Sequence, residues 1–107
     1  MAPKGFGRLA AMITKKRHRD GHTKVVFSLP DAGQPVSVVA DFNSWDPKAH
    51  PLRKRSNGVR SVAIMLPPGT CARFRYVSGD HYFDDPDGDG LEPNEFGSTN
   101  TVLLLPL

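Results

Sequence analysis

Three groups of residues in this 107-residue chain have types and spacing that could do chemistry. The first is Asp85-Pro86-Asp87-Gly88-Asp89-Gly90, which matches a calcium loop at its first, third, fifth and sixth positions. Where a bidentate glutamate should complete the shell stands Phe96, Pro93 interrupts the loop and the flanks read as strands, so the expectation is a solvated turn. Nor do these carboxylates make a glycosidase pair, whose members must face each other across a cleft about 5 to 10 Å wide. The second group is the histidines. Only His18 and His22 are spaced i, i+4, and they lie in a basic segment where a stable helix is not expected, so no metal is predicted. With no Gly-x-Ser-x-Gly elbow and no phosphate-cradling glycine loop either, a non-enzymatic chain without cofactors is predicted.

The third group offers a surface instead of a reaction. Trp45 sits in Phe42-Asn43-Ser44-Trp45-Asp46-Pro47, bracketed by turn formers. A core tryptophan belongs in an alternating strand, so this one is expected to present its flat face to solvent. The single cysteine, Cys71, cannot form an internal disulfide and is expected to be a small buried apolar residue.

The elements that must position these residues are short. Ten glycines and ten prolines, with no sustained helix-period run after residue 20, point to an all-β chain. Strands are expected over 24–29, 36–42, 52–55, 59–66, 72–77, 81–83 and 101–105. Asn57-Gly58 predicts a tight hairpin between the third and fourth, because both residues tolerate positive φ. The last strand is continuously apolar and should be paired on both edges. Seven short strands with turns every 8 to 12 residues fit an immunoglobulin-like β-sandwich.

Charge divides the chain differently. Residues 1–24 carry seven Lys or Arg against one acid, while the rest carries seven against ten. Phe6, Leu9, Ala10 and Ile13 have helical spacing, so residues 1–23 are expected to be a basic tail, disordered or weakly helical, ahead of a sandwich over 24–107. Met12 is an alternative start. No stretch has the pattern of a secretory signal and no run of about 18 apolar residues is present, so a cytoplasmic setting without a membrane partner is expected. Nucleic acid is a weaker expectation for the tail than simple solvation.

Two segments, Val38-Val39-Ala40-Asp41-Phe42-Asn43-Ser44-Trp45 and Phe74-Arg75-Tyr76-Val77-Ser78-Gly79-Asp80-His81-Tyr82-Phe83-Asp84-Asp85-Pro86, carry a resemblance to the isoamylase early-set family. That family includes the glycogen-binding module of the AMP-activated kinase β subunit and the N-terminal modules of branching and debranching enzymes. The similarity runs from about Lys24 to Leu105. It implies a sugar platform made by Trp45 and Tyr82, with Arg75 as the basic residue beside them. The closing Phe96-Gly97-Ser98-Thr99-Asn100 resembles the family's Leu-Gly-Thr-x-Asn, which implies that Phe96 inserts against the glucan while Ser98 and Asn100 hydrogen-bond its hydroxyls. Tyr82, Arg75, Phe96 and Ser98 replace the tryptophan, lysine, leucine and threonine of the kinase modules.

The chemistry suits that role. A pyranose shows C–H groups on its faces and hydroxyls at its edge, so its binder needs flat aromatic area beside a few oriented donors and acceptors. The expected function is a stand-alone, non-catalytic module for glycogen or related α-1,4-glucans, including maltooligosaccharides and cyclodextrin. The alternative is an interaction module that docks onto a glucan-metabolising enzyme without strong sugar binding of its own.

Overall fold

A computed structural model of the chain describes residues 12–107. It is a two-sheet antiparallel sandwich of nine strands, β1 Met12–Arg17, β2 Thr23–Pro30, β3 Ser37–Ala40, β4 Arg53–Lys54, β5 Val59–Leu66, β6 Cys71–Ser78, β7 His81–Phe83, β8 Gly90–Pro93 and β9 Thr99–Leu104. One sheet has the order β1-β2-β5-β4; the other runs β3-β6-β9-β8, with β7 paired to β6 beyond the end of β9.

Period-two alternation builds the core. Val25, Phe27 and Leu29 of β2 and Ile64 and Leu66 of β5 face Val38, Ala40, Ala72, Phe74, Tyr76 and Leu103 of the second sheet, all buried. Phe27 and Phe74 meet edge to face across the interior at 5.0 Å, which ties the sheets together at their centre. The expected hairpin closes at Gly58, whose φ of 84° only glycine adopts without strain, and it pairs Lys54 with Arg60.

Seven of the nine strands lie where alternation predicts them; β1 and β8 do not. Met12–Arg17, placed in the basic tail, forms a strand paired along its whole length with β2, from Met12 opposite Ser28 to Arg17 opposite Thr23. The turn 18–22 joins them, closed by a 2.8 Å bond from His18 N–H to His22 C=O, with Gly21 at φ 91°. The sandwich therefore begins before residue 24, and helical character is absent from 12–17; the remainder of the expected helix, 6–11, lies outside the described residues. Residues 90–93, read as part of the acidic loop, form edge strand β8 beside β9. Cys71 is exposed, not buried: Ala72, Phe74 and Tyr76 point inward, so register turns Cys71, Arg73 and Arg75 outward. Among the described residues, no helix is long and apolar enough to cross a membrane.

Candidate functional site

The outward face of the second sheet is the foundation of the site. Val39 lies opposite Arg75, and Tyr82 opposite Val77, so all four share the face turned away from the core. Val39 and Val77 are buried yet stand outside the main core cluster, which gives this face an apolar floor of its own.

The loop after β3 brings Trp45 over that face. A single 3-10 turn, Asp41–Asn43, follows Ala40, and the Asn43 side chain then ties the loop to its own stem. It accepts from Ala40 N–H at 2.9 Å, donates to Val38 C=O at 3.0 Å and lies 2.9 Å from His50 Nδ1. Ser44 and Trp45 both adopt left-handed backbone, at φ 59° and 56°, at a cost of about 1–2 kcal/mol per residue. A 2.9 Å bond from Trp45 N–H to Ala40 C=O holds the reversal. Two strained residues in succession turn the indole out of the sandwich, and Trp45 remains 39 % exposed.

Arg75 and Tyr82 form the middle of the site. Arg75 Nη2 donates to Tyr82 C=O at 3.1 Å, and its guanidinium carbon lies 5.9 Å from the Tyr82 ring centroid. On the other side, Arg75 Nε is 3.6 Å from Asp84 Oδ1, too long for a hydrogen bond and short enough for ion pairing. Asp84 accepts from the hydroxyls of Thr99 at 2.5 Å and Thr101 at 2.9 Å, so the carboxylate is anchored to β9. Tyr82 is 49 % exposed.

The third wall is the turn 94–98 between β8 and β9. Asn94 N–H donates to Ser98 C=O at 3.0 Å, and Gly97 takes φ 78°. The Asn94 side chain accepts from Phe96 N–H at 3.0 Å and Ser98 N–H at 3.1 Å and donates to Asn100 Oδ1 at 3.3 Å. Phe96 stands at the tip, 85 % exposed, with its N–H held by the Asn94 side chain beneath it. So large an apolar side chain exposed at the end of an ordered turn marks a candidate contact surface.

These pieces enclose one groove of about 740 Å³, lined by Trp45, Arg75, Tyr82, Asn94, Glu95, Phe96, Ser98 and Asn100. All six residues singled out from the sequence line it. Asn94 and Glu95 were missed. Pro93-Asn94 is a recognisable turn signal, but that the Asn94 amide would serve three partners has no signature in sequence.

The acidic loop is used differently. Asp85, 2 % exposed, accepts from the Tyr76 hydroxyl at 2.5 Å and from Asp87 N–H at 2.8 Å. Burial pushes the Asp85 carboxyl above its ordinary range, and burial likewise raises the Tyr76 phenol, with the Asp85 charge adding to it. Asp87 accepts from Ile13 N–H at 2.9 Å, and Asp89 from Lys15 Nζ and Leu104 N–H, both at 2.8 Å. The three carboxylates thus bind the loop to β6, β1 and β9. Among the described residues, no group of three or more His, Cys, Asp or Glu is placed to hold a metal ion.

No protein-family model matches the chain. A 44-residue stretch, 41 % of the chain, is 48 % identical to 6 % of the 1,4-alpha-glucan branching enzyme GlgB 2 of Xanthomonas campestris pv. campestris (strain 8004). The chain is similar to segments of glucan-branching enzymes. Over 59 residues, 52 % of the chain, it is 44 % identical to 7 % of the branching enzyme GlgB of Rhodopseudomonas palustris (strain HaA2). Over 89 residues, 79 % of the chain, it is 33 % identical to 11 % of the GlgB of Synechococcus sp. (strain CC9605). The similarity therefore extends across most of this sandwich while touching about a tenth or less of each enzyme.

Proposed function

We propose that this chain is a non-catalytic carbohydrate-binding module that takes glycogen or a related α-1,4-glucan in the groove of Trp45, Tyr82 and Phe96. The observation that carries the reading is convergence: six residues from four separate stretches of sequence line one groove. Three exposed aromatics supply apolar area for the C–H faces of glucose rings, and Arg75, Ser98 and Asn100 supply donors and acceptors at their edge. Similarity to segments of glucan-branching enzymes favours an α-glucan as the sugar.

Titration of the chain with β-cyclodextrin and maltoheptaose, followed by the fluorescence of its one tryptophan and by calorimetry, tests this. Saturable binding in the micromolar to millimolar range, lost in Trp45→Ala, is the expected result. No saturable change at millimolar sugar, or undiminished binding by Trp45→Ala, overturns it.

A second reading has one observation in its favour: the relatives are enzymes in which the matched segment is a small part. On that reading the sandwich docks onto a glucan-metabolising enzyme. Co-purification with such an enzyme from native extract, unaffected by Trp45→Ala, would support it over sugar binding.

A further inference from the structure

We infer that Asn94 is a positioning residue that fixes which end of the Asn100 amide faces the groove, so that Asn100 meets the sugar as a hydrogen-bond donor. The inference rests on the reading of this groove as a glucan site. It follows from what each group is able to do. A backbone N–H can only donate. Phe96 N–H and Ser98 N–H both aim at the Asn94 side chain, at 3.0 and 3.1 Å, so the atom between them is the carbonyl oxygen.

That choice leaves the Asn94 Nδ2 on the other side, and an amide nitrogen can only donate. The group it meets, 3.3 Å away, is the Asn100 side chain, which must answer with its oxygen. Two backbone N–H groups thereby set the orientation of two side-chain amides in series. The series ends on Asn100, whose side-chain bond engages Oδ1 and leaves Nδ2 as the other end of an amide that lines the groove.

A free asparagine can offer either its donor or its acceptor end by turning its amide over. Asn100 has its oxygen turned to Asn94, so the end it offers is Nδ2, and a ligand atom that meets Nδ2 must provide a lone pair, as a sugar hydroxyl or ring oxygen does. The turn itself does not depend on this relay. Asn94 N–H to Ser98 C=O and Gly97 N–H to Asn94 C=O close it through backbone alone. Asn94 therefore acts on the ligand through Asn100, and the orientation is set before binding, which removes an ordering cost from association.

The test is a double-mutant cycle on the full chain, with β-cyclodextrin as the probe and calorimetry as the readout. Asn94→Asp retains an oxygen for Phe96 N–H and Ser98 N–H but has no N–H for Asn100 Oδ1. Asn94→Asp and Asn100→Ala are each expected to weaken binding about 3- to 10-fold, the range for one lost neutral hydrogen bond. In the Asn100→Ala background, Asn94→Asp should cost nothing further. Wild-type affinity in Asn94→Asp, or losses that multiply in the double variant, overturns this inference while leaving the proposed function standing. No binding by the wild type overturns both.

Discussion

Arg75 and Tyr82 are joined twice, by a 3.1 Å bond from the guanidinium to the Tyr82 carbonyl and by the approach of the same guanidinium to 5.9 Å from the ring centroid. The double contact makes Arg75 a brace for the aromatic platform as well as a donor. A planar fork can reach a carbonyl and lie beside a ring at once, which a lysine ammonium cannot. Arg75→Lys is therefore expected to lower β-cyclodextrin affinity about 3- to 10-fold despite keeping the charge. The decisive measurement compares it with Arg75→Ala in a calorimetric titration. A lysine variant indistinguishable from wild type would mean that charge alone suffices.

The Tyr76–Asp85 pair supports a prediction about pH. Burial raises the Asp85 carboxyl above its ordinary value near 3.8, so the folded state holds that proton more tightly than the unfolded chain does. The stabilising share of Asp85 is then complete below the unfolded value and is lost as pH rises through the folded one. Asp31 and Asp89 are shifted the opposite way. For Asp31, the Gly33 N–H and Arg60 favour the charged form; for Asp89, burial opposes ionisation but Leu104 N–H and Lys15 outweigh it, so both lose stability on acidification. Total stability mixes these signs, and Asp85→Asn isolates one. Its thermal midpoint should exceed the wild-type midpoint at neutral pH, with the difference shrinking as pH falls toward 4. A difference that grows on acidification would reverse the assignment.

Tyr76→Phe bears on the same pair from the other side. It removes the hydroxyl that donates to a carboxylate almost without solvent access, leaving Asp85 with Asp87 N–H as its remaining donor. A buried acceptor deprived of one partner costs about 1–3 kcal/mol. Urea unfolding at neutral pH should show a loss of that order. In Asp85→Asn the same substitution should cost less, because no charge is left unpaired.

Much of this fold was legible from alternation, and the two missed strands show where alternation fails. β1 offers the core only Ile13, packed at its edge, and otherwise carries Lys15, Lys16 and Arg17, the charged pattern of a protected edge strand. The helical spacing of Phe6, Leu9, Ala10 and Ile13 competed with it. Yet Asp20-Gly21 is the same kind of hairpin signal as Asn57-Gly58, and it marks the β1–β2 turn. β8 is exposed throughout and contains Gly90 and Pro93, so only its pairing with β9 reveals it. Cys71 was legible in retrospect, since inward Ala72, Phe74 and Tyr76 force it outward. In the site, aromatics and polar termini were readable as residue types. The hydrogen-bond relay from Phe96 and Ser98 through Asn94 to Asn100 joins residues by geometry alone.

The contribution of β1 can be measured by deletion. Removing residues 1–17 strips six paired positions from β2 and leaves it an open edge with apolar neighbours. The shortened chain should unfold at lower temperature and self-associate in light scattering. Lys15→Ala, which breaks the partly exposed 2.8 Å pair with Asp89 and a 3.1 Å bond to Leu104 C=O, should cost less than about 1 kcal/mol. An unchanged thermal midpoint after the deletion would show that the strand adds nothing to the sandwich.

Gly88 is required by space, not by backbone angle. A methyl group there would overlap Thr101 Cγ2 and come within 3.3 Å of Val102 C=O. Neither neighbour is free to move. Thr101 is fully buried, donates to Asp84 Oδ1 and accepts from Asp85 N–H, while Val102 C=O is engaged by Asp89 N–H. A shift of Thr101 is felt directly by Asp84 and by the Asp85 backbone, and Asp84 sits behind Arg75 in the groove. Gly88→Ala is expected to cost about 1–3 kcal/mol of stability. It should also weaken glucan binding, although residue 88 does not line the site. A variant that is destabilised but binds β-cyclodextrin as tightly as wild type would show that the strain is absorbed within the acidic loop and never reaches Arg75.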